Sequence, residues 1–387
     1  MTSAEMVDRP FQASVEPHTR WIVLKVAQRC NLNCTYCYVY NRGDNGWRQR
    51  PKFMSPLVAE AVAELIHSHC LKHDIDTFVV EIHGGEPLLL GPKRFRAILD
   101  ILLKKCTSAR LVFLLQTNGL LLNEEWLELF ARYGVRFGVS VDGAPERADL
   151  QRVYSNGNGS TQDLLDRIAQ LRIVTPLFEK QLSGALCVID PQVGGASMIK
   201  WMIEHDFRSF DFLLPDATYV NLPANWNGPT EYGRFLIEAF DYWRLLGVNA
   251  PRIRRFELMM LGLLGQPPQL DSLGGDIRSL CVVETNGSIG ILDTLRICGG
   301  IYATDVLSVF DDDLDTHSEY YSLGRMQTLS KKCTSCEYLS ACGGGYLPHR
   351  YDGDSFQNPS LYCDALYALA DHMMITLKDT LPASVWA

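Results

Sequence analysis

The chain has 387 residues, 47% of them apolar, with a formal charge of -9 and a pI near 5.5. Such a length supports a large core split between two domains, while the acidic balance argues against a nucleic-acid surface or a polybasic membrane anchor. With no signal-like opening and no apolar run long enough for a bilayer, the chain is expected to be cytoplasmic, and its twelve cysteines to serve metals rather than disulfides.

Residues 1–20 are mixed and proline-containing, and are expected to form an arm without a fold of its own. From Trp21 the pattern alternates. Runs rich in Val, Ile, Leu and Phe predict strands at 21–27, 77–82, 110–115, 136–141, 182–189 and 210–214. Helical spacing of apolar residues predicts helices at 56–70, 93–104, 123–133, 161–172 and 196–205. Ser55-Pro56, and Asn123 followed by Glu124 and Glu125, suit helix starts. Six such repeats imply an α/β fold: a partial (β/α)6 barrel over 21–215, with ligands at the C-terminal ends of its parallel strands.

Directly after the first strand, Cys30, Cys34 and Cys37 stand at C-x3-C-x2-C spacing, and no fourth cysteine follows in the loop. Three thiols so placed point to a metal centre. It is either a zinc site completed by a distant residue such as His83, or a [4Fe-4S] cluster with one iron left open to a small molecule. After the second strand comes His83-Gly84-Gly85-Glu86-Pro87, whose glycines allow a ligand close to the backbone and whose Glu86 can face an ammonium group. Gln116-Thr117-Asn118-Gly119 and Ser140-Val141-Asp142-Gly143 end strands three and four. All these polar ends share one rim.

Beyond residue 215 the repeat stops. Residues 216–280 are expected to bridge, with an open Pro215–Pro229 stretch and helices at 231–246 and 253–264. Residues 281–292 predict a hairpin around Asn286-Gly287. Cys333, Cys336, Cys342 and Cys363 supply four thiolates for one further centre. With a single C-x2-C knuckle, a fully ligated [4Fe-4S] cluster is preferred to zinc. Cys70, Cys106 and Cys187 lie in apolar patterns and are expected to be small buried hydrophobes.

The aromatic Tyr36 completes C-x3-C-x-aromatic-C, which resembles the radical S-adenosylmethionine (radical SAM) signature. The segment 281–387 resembles a SPASM domain, the cluster-bearing extension of peptide-modifying members. Leu292 and Tyr346 stand where two of its cysteines would be, so one auxiliary cluster is expected and Cys281 and Cys298 are left over. Tyr38-Val39-Tyr40-Asn41 with Trp47-Arg48, Phe212-Leu213-Leu214-Pro215, Cys342-Gly343-Gly344-Gly345-Tyr346 with His349-Arg350, and Asn358-Pro359-Ser360 resemble FxsB-type radical SAM/SPASM maturases.

That resemblance implies an enzyme that modifies a ribosomally made precursor peptide, by C–C crosslinking in the members that are three-residue cyclophane synthases. It implies S-adenosylmethionine held by the backbone near Tyr36 and by Gly84, Gly85, Glu86, Asn118, Ser140, Asp142, Arg152 and Leu213. Ser140 and Arg152 would meet its methionyl carboxylate and ribose region. A flavodoxin- or ferredoxin-type donor would supply electrons, and neither nucleic acid nor membrane would be a partner. Asp293 stands where sulfatase-maturating relatives place a catalytic aspartate, and is the implied base. Related chemistry remains open: ether or thioether crosslinks, epimerisation, sulfatase-type oxidation of Cys or Ser, or a non-catalytic iron–sulfur protein that binds a peptide or senses redox state.

Overall fold

The computed structural model describes residues 18–266, 270–299, 306–320 and 326–382, so most of the expected N-terminal arm lies outside the described residues. Six parallel strands run in sequence order across the sheet: β1 (Trp21–Ala27), β2 (Thr77–Gly84), β3 (Arg110–Thr117), β4 (Arg136–Ser140), β5 (Leu182–Val188) and β6 (Ser209–Leu213). Between them lie α1 (Pro56–Lys72), α2 (Pro92–Lys105), α3 (Glu124–Tyr133) and the helices Thr161–Val174 and Gly195–Glu204. This is the expected α/β barrel sheet. Parallel neighbours need crossovers, so every strand leaves the sheet at the same end.

Local chemistry explains the boundaries. The Ser55 hydroxyl accepts from Val58 N at the start of α1, and the Asn123 side chain accepts from Trp126 N at the start of α3. Gly134, at φ +66°, ends α3 in the left-handed conformation that glycine adopts without cost. In β2, every second residue is buried, which is the period of a strand with one face on the core. An aromatic line of Phe95, Trp126, Phe130, Phe137 and Phe178 packs between helices and sheet, with ring centroids 5.2–5.8 Å apart.

The sheet extends past both ends of the expected barrel. Strand β7 (Arg252–Ile253) pairs in parallel with β6 after the helix Thr230–Leu245, so the repeat runs one step beyond residue 215. At the other edge, β8 (Leu280–Val283) pairs in parallel with β1, from Trp21↔Leu280 to Leu24↔Val283. It then turns antiparallel into β9 (Ser288–Gly290) and β10 (Leu307–Ser308). The expected hairpin forms, and a boundary drawn at residue 281 does not separate two sheets. The physical reason is the open edge of β1, whose unpaired N–H and C=O groups are satisfied by β8. A C-terminal helix, Cys363–Thr380, adds what the cysteine spacing had obscured: Ala365, Leu366, Leu369, Ala370 and Met373 form its buried stripe.

Candidate functional site at the C-terminal rim

The cysteine loop leaves β1 across the rim and is pinned by backbone bonds from Asn33 N to Val153 O (2.7 Å) and Thr35 N to Gln151 O (2.9 Å). Cys30, Cys34 and Cys37 are free and half-buried. Burial pushes the Cys30 thiol up to about 12 and the Cys37 thiol to about 11, and raises Cys34 as well. Cys30 also feels the charges of Cys34 and Cys37. Thiols held protonated this firmly ionise against a cation, so the donor set fits a metal cluster, whose binding would release protons.

Tyr36, Asp142 and Arg152 come together behind that loop. The Tyr36 hydroxyl donates to Asp142 Oδ2 at 2.5 Å and accepts from Arg152 Nη1 at 2.8 Å, while Asp142 Oδ1 accepts from Val188 N at 2.9 Å. The triad ties the loop to the ends of β4 and β5. Arg152 is 6% exposed, and its Nη1 meets both Tyr36 and Asp142, so it braces the rim. Ser140 Oγ accepts from Gln116 Nε2 at 3.0 Å. Gln116 belongs to the expected rim but was not among the residues implied to hold a ligand. Its signal was Gly138 on the next strand, where a Cβ would sit 2.4 Å from Gln116 Oε1.

Glu86 is held by the protein around it. Its carboxylate is 0% exposed and accepts from Leu88 N (3.0 Å), Thr117 Oγ1 (2.7 Å) and Asn118 N (2.8 Å). It binds the end of β3 to the glycine loop. The glycines serve the same junction: Gly85 N donates to Ala27 O, and a Cβ on Gly85 would stand 2.5 Å from Arg29 O. Asn118 Nδ2 donates to Asn31 Oδ1 at 2.8 Å, next to Cys30 Sγ at 3.8 Å, and Leu213 ends β6 half-buried on the same rim. Glu86→Ala would strand three donors, and is expected to lower stability by roughly 3 kcal/mol or more. Denaturant unfolding checks this; an unchanged midpoint contradicts the assignment.

The second thiol group assembles from three segments. Burial raises Cys342 to about 11, and its thiol feels the charges of Cys336, Cys333 and Cys363. Burial likewise raises Cys363, which feels Cys333 and Cys336. Cys281 and Cys298 join neither group: Cys281 is raised by burial alone, and Cys298 by burial and then by Asp216. Leu292 is 5% exposed in a small apolar cluster, and the Tyr346 hydroxyl bonds Thr294 Oγ1.

Asp293 opens a 3-10 turn, Asp293–Cys298, just past β9. Its Oδ2 accepts from the Tyr38 hydroxyl at 2.7 Å, while its Oδ1 meets Lys25 Nζ at 2.6 Å and Arg296 Nε at 2.7 Å. Arg296 continues to Asp44 at 2.6 Å and to Glu284, which also bonds Gln28. Sequence reasoning missed Tyr38, Lys25 and Arg296 as partners. The available signal was Lys25 itself, a cation inside the apolar run of β1. Burial lowers Lys25 to about 8, helped by Arg296 and opposed by Asp293. Between about pH 8 and its unfolded value of 10.5 the unfolded chain therefore holds more protons, and stability from this group rises with pH by up to about 1.4 kcal/mol per unit. Lys25→Met is expected to remove that rise, as read from unfolding midpoints across the window.

Residues 24–175 match the family model described as Radical SAM superfamily. A cysteine-type anaerobic sulfatase-maturating enzyme of Clostridium novyi is 24% identical over 359 residues, 89% of this chain and 92% of the relative. The solved structure of native anSMEcpe with bound AdoMet superimposes with a TM-score of 0.79 at 22% identity, covering 93% of this chain and 99% of that one. Streptococcus suis SuiB bound to precursor peptide SuiA superimposes with a TM-score of 0.59 at 17% identity, covering 90% and 76%. The strand-end motifs, the thiol loop and these likenesses agree: residues 24–175 are similar to the radical SAM superfamily, and the chain shares the fold of anSMEcpe over nearly its whole length.

Proposed function

We propose that this protein is a radical SAM enzyme that oxidises a peptide, forming a C–C crosslink between an aromatic side chain and the β-carbon of a nearby residue. Cys30, Cys34 and Cys37 would hold a [4Fe-4S] cluster, with S-adenosylmethionine along the rim of Gly84, Gly85, Asn118, Ser140 and Leu213. When bound, the pair supplies a 5′-deoxyadenosyl radical by reductive cleavage of S-adenosylmethionine. The crosslink removes two hydrogens from the peptide: one as an atom, the other as an electron and a proton. Cys333, Cys336, Cys342 and Cys363 would hold the electron acceptor, an auxiliary [4Fe-4S] cluster.

The observation that carries oxidation of a peptide at this site is the Tyr38–Asp293 pair. Tyr38 directly follows Cys37, so the hydrogen bond sets a carboxylate beside the thiol loop. Lys25 and Arg296 fix Oδ1, which leaves Oδ2 and the phenol as the path for a proton. Sulfatase-type oxidation of a Cys or Ser is the second reading, favoured by the full-length likeness to the Clostridium novyi maturase. It needs the same proton acceptor.

The test is anaerobic turnover with reductant, S-adenosylmethionine and peptides encoded beside the gene. Loss of two hydrogens, resistance to a hydrazide probe, and absent fragmentation between the joined residues support the crosslink. A hydrazide-reactive aldehyde replaces it with the second reading. Failure to form 5′-deoxyadenosine under any of these conditions overturns both.

A further inference from the structure

Three imidazoles and one carboxylate converge at the N-terminal end of β1, opposite the rim that carries Cys30, Cys34 and Cys37. His18 precedes β1, His69 and His73 lie at the C-terminal end of α1, and Asp315 belongs to the helix Leu314–Tyr320. The His18 ring stacks on His73 with centroids 3.7 Å apart, and the ligand atoms of His18, His73 and Asp315 all lie within 4.8 Å of one another. His73 Nε2 is 2.8 Å from Asp315 Oδ1, and His69 Nδ1 is 3.5 Å from the same oxygen.

His69 shows why a cation belongs there. Its Nε2 lies 3.0 Å from Thr19 O, which only accepts, so the ring proton is on Nε2 and Nδ1 presents a lone pair. The ring is 4% exposed. Nδ1 thus faces the Asp315 carboxylate across 3.5 Å, where one cation could be shared between them. The Lys72 ammonium meets Asp315 Oδ2 at 2.6 Å, but it is more than half exposed and approaches from the outer side.

We propose that His18, His69, His73 and Asp315 form a site for one divalent transition-metal ion, best suited to zinc. Imidazole and carboxylate donors favour zinc over the oxygen-seeking calcium and magnesium. Bonds of ~2 Å in a tetrahedron set ligand atoms roughly 3.3 Å apart, near the 2.8 and 3.5 Å from Asp315 to His73 and His69, while the His18, His73 and Asp315 atoms, within 4.8 Å of one another, would draw together on binding. Four protein donors leave no open position, so the ion acts as a structural tie. It joins the entry to β1, α1 and the helix after β10.

The test uses protein with its iron–sulfur clusters assembled, treated with chelator and then titrated with zinc alone. One further zinc per chain is expected, with a nitrogen and oxygen shell by zinc-edge X-ray absorption and a raised unfolding temperature. Asp315→Asn and His73→Ala should weaken binding by at least the ~10–100-fold typical of disturbing a metal site, with cluster absorbance unchanged. Lys72→Ala should tighten it, because a competing cation is removed. Zinc bound equally by wild type and Asp315→Asn, or held by sulfur, or not bound at all, overturns the proposal.

Discussion

Replacing Cys30, Cys34 and Cys37 together by alanine is expected to abolish formation of 5′-deoxyadenosine and to remove roughly half of the bound iron. The loop should survive the change. It is held by backbone bonds from Asn33 and Thr35 to Val153 and Gln151, and by Asn41 Nδ2 on Cys34 O at 2.8 Å, none of which uses a thiol. The Tyr36–Asp142–Arg152 triad also remains. Iron left in the variant should belong to Cys333, Cys336, Cys342 and Cys363, whose thiols sense one another and none of the three replaced. Retained S-adenosylmethionine cleavage, or iron content unchanged from wild type, would falsify this assignment of the two groups.

Asp293→Asn is expected to slow product formation by ~10²–10⁴-fold, the usual contribution of a positioned general base. The substitution keeps the shape and an acceptor for the Tyr38 hydroxyl, and Glu284, 3.7 Å from Lys25 Nζ, still balances the buried ammonium. Folding and cluster content should therefore persist. Hydrogen abstraction precedes proton loss in the proposed sequence, so 5′-deoxyadenosine should still form, now uncoupled from product. Deuterium placed on the substrate β-carbon should appear in it. Near-normal product from the variant would move the proton acceptor elsewhere, and Asp216 would be the next candidate, since burial raises it to about 7 and it feels the charge of Asp293.

Much of the fold was legible because strands and helices of a parallel barrel carry strong local periods. The six strands and five intervening helices form within a few residues of their expected limits. The Cys30–Cys37 spacing is also local, since one loop presents all three thiols. Glu86 and Arg152 have protein partners that only the structure shows. Their residue types suit a ligand, yet the structure surrounds each with protein partners, and a buried charge must be satisfied by whatever is near.

The sequence by itself determined the repeat of strand and helix, the rim on which the polar strand ends gather, and the chemistry of two separate thiol sets. The repeat and the Cys30–Cys37 spacing rest on residues close in the chain; the rim follows from the repeat, because parallel strands end on one side. Only the tertiary structure decided that β8 closes the edge of β1, and with it the meeting of Lys25, Tyr38, Asp293 and Arg296 across more than 250 residues. No local period encodes which strand satisfies an open sheet edge. That choice follows from the whole sheet's hydrogen bonding, and it sets which carboxylate stands beside the thiol loop.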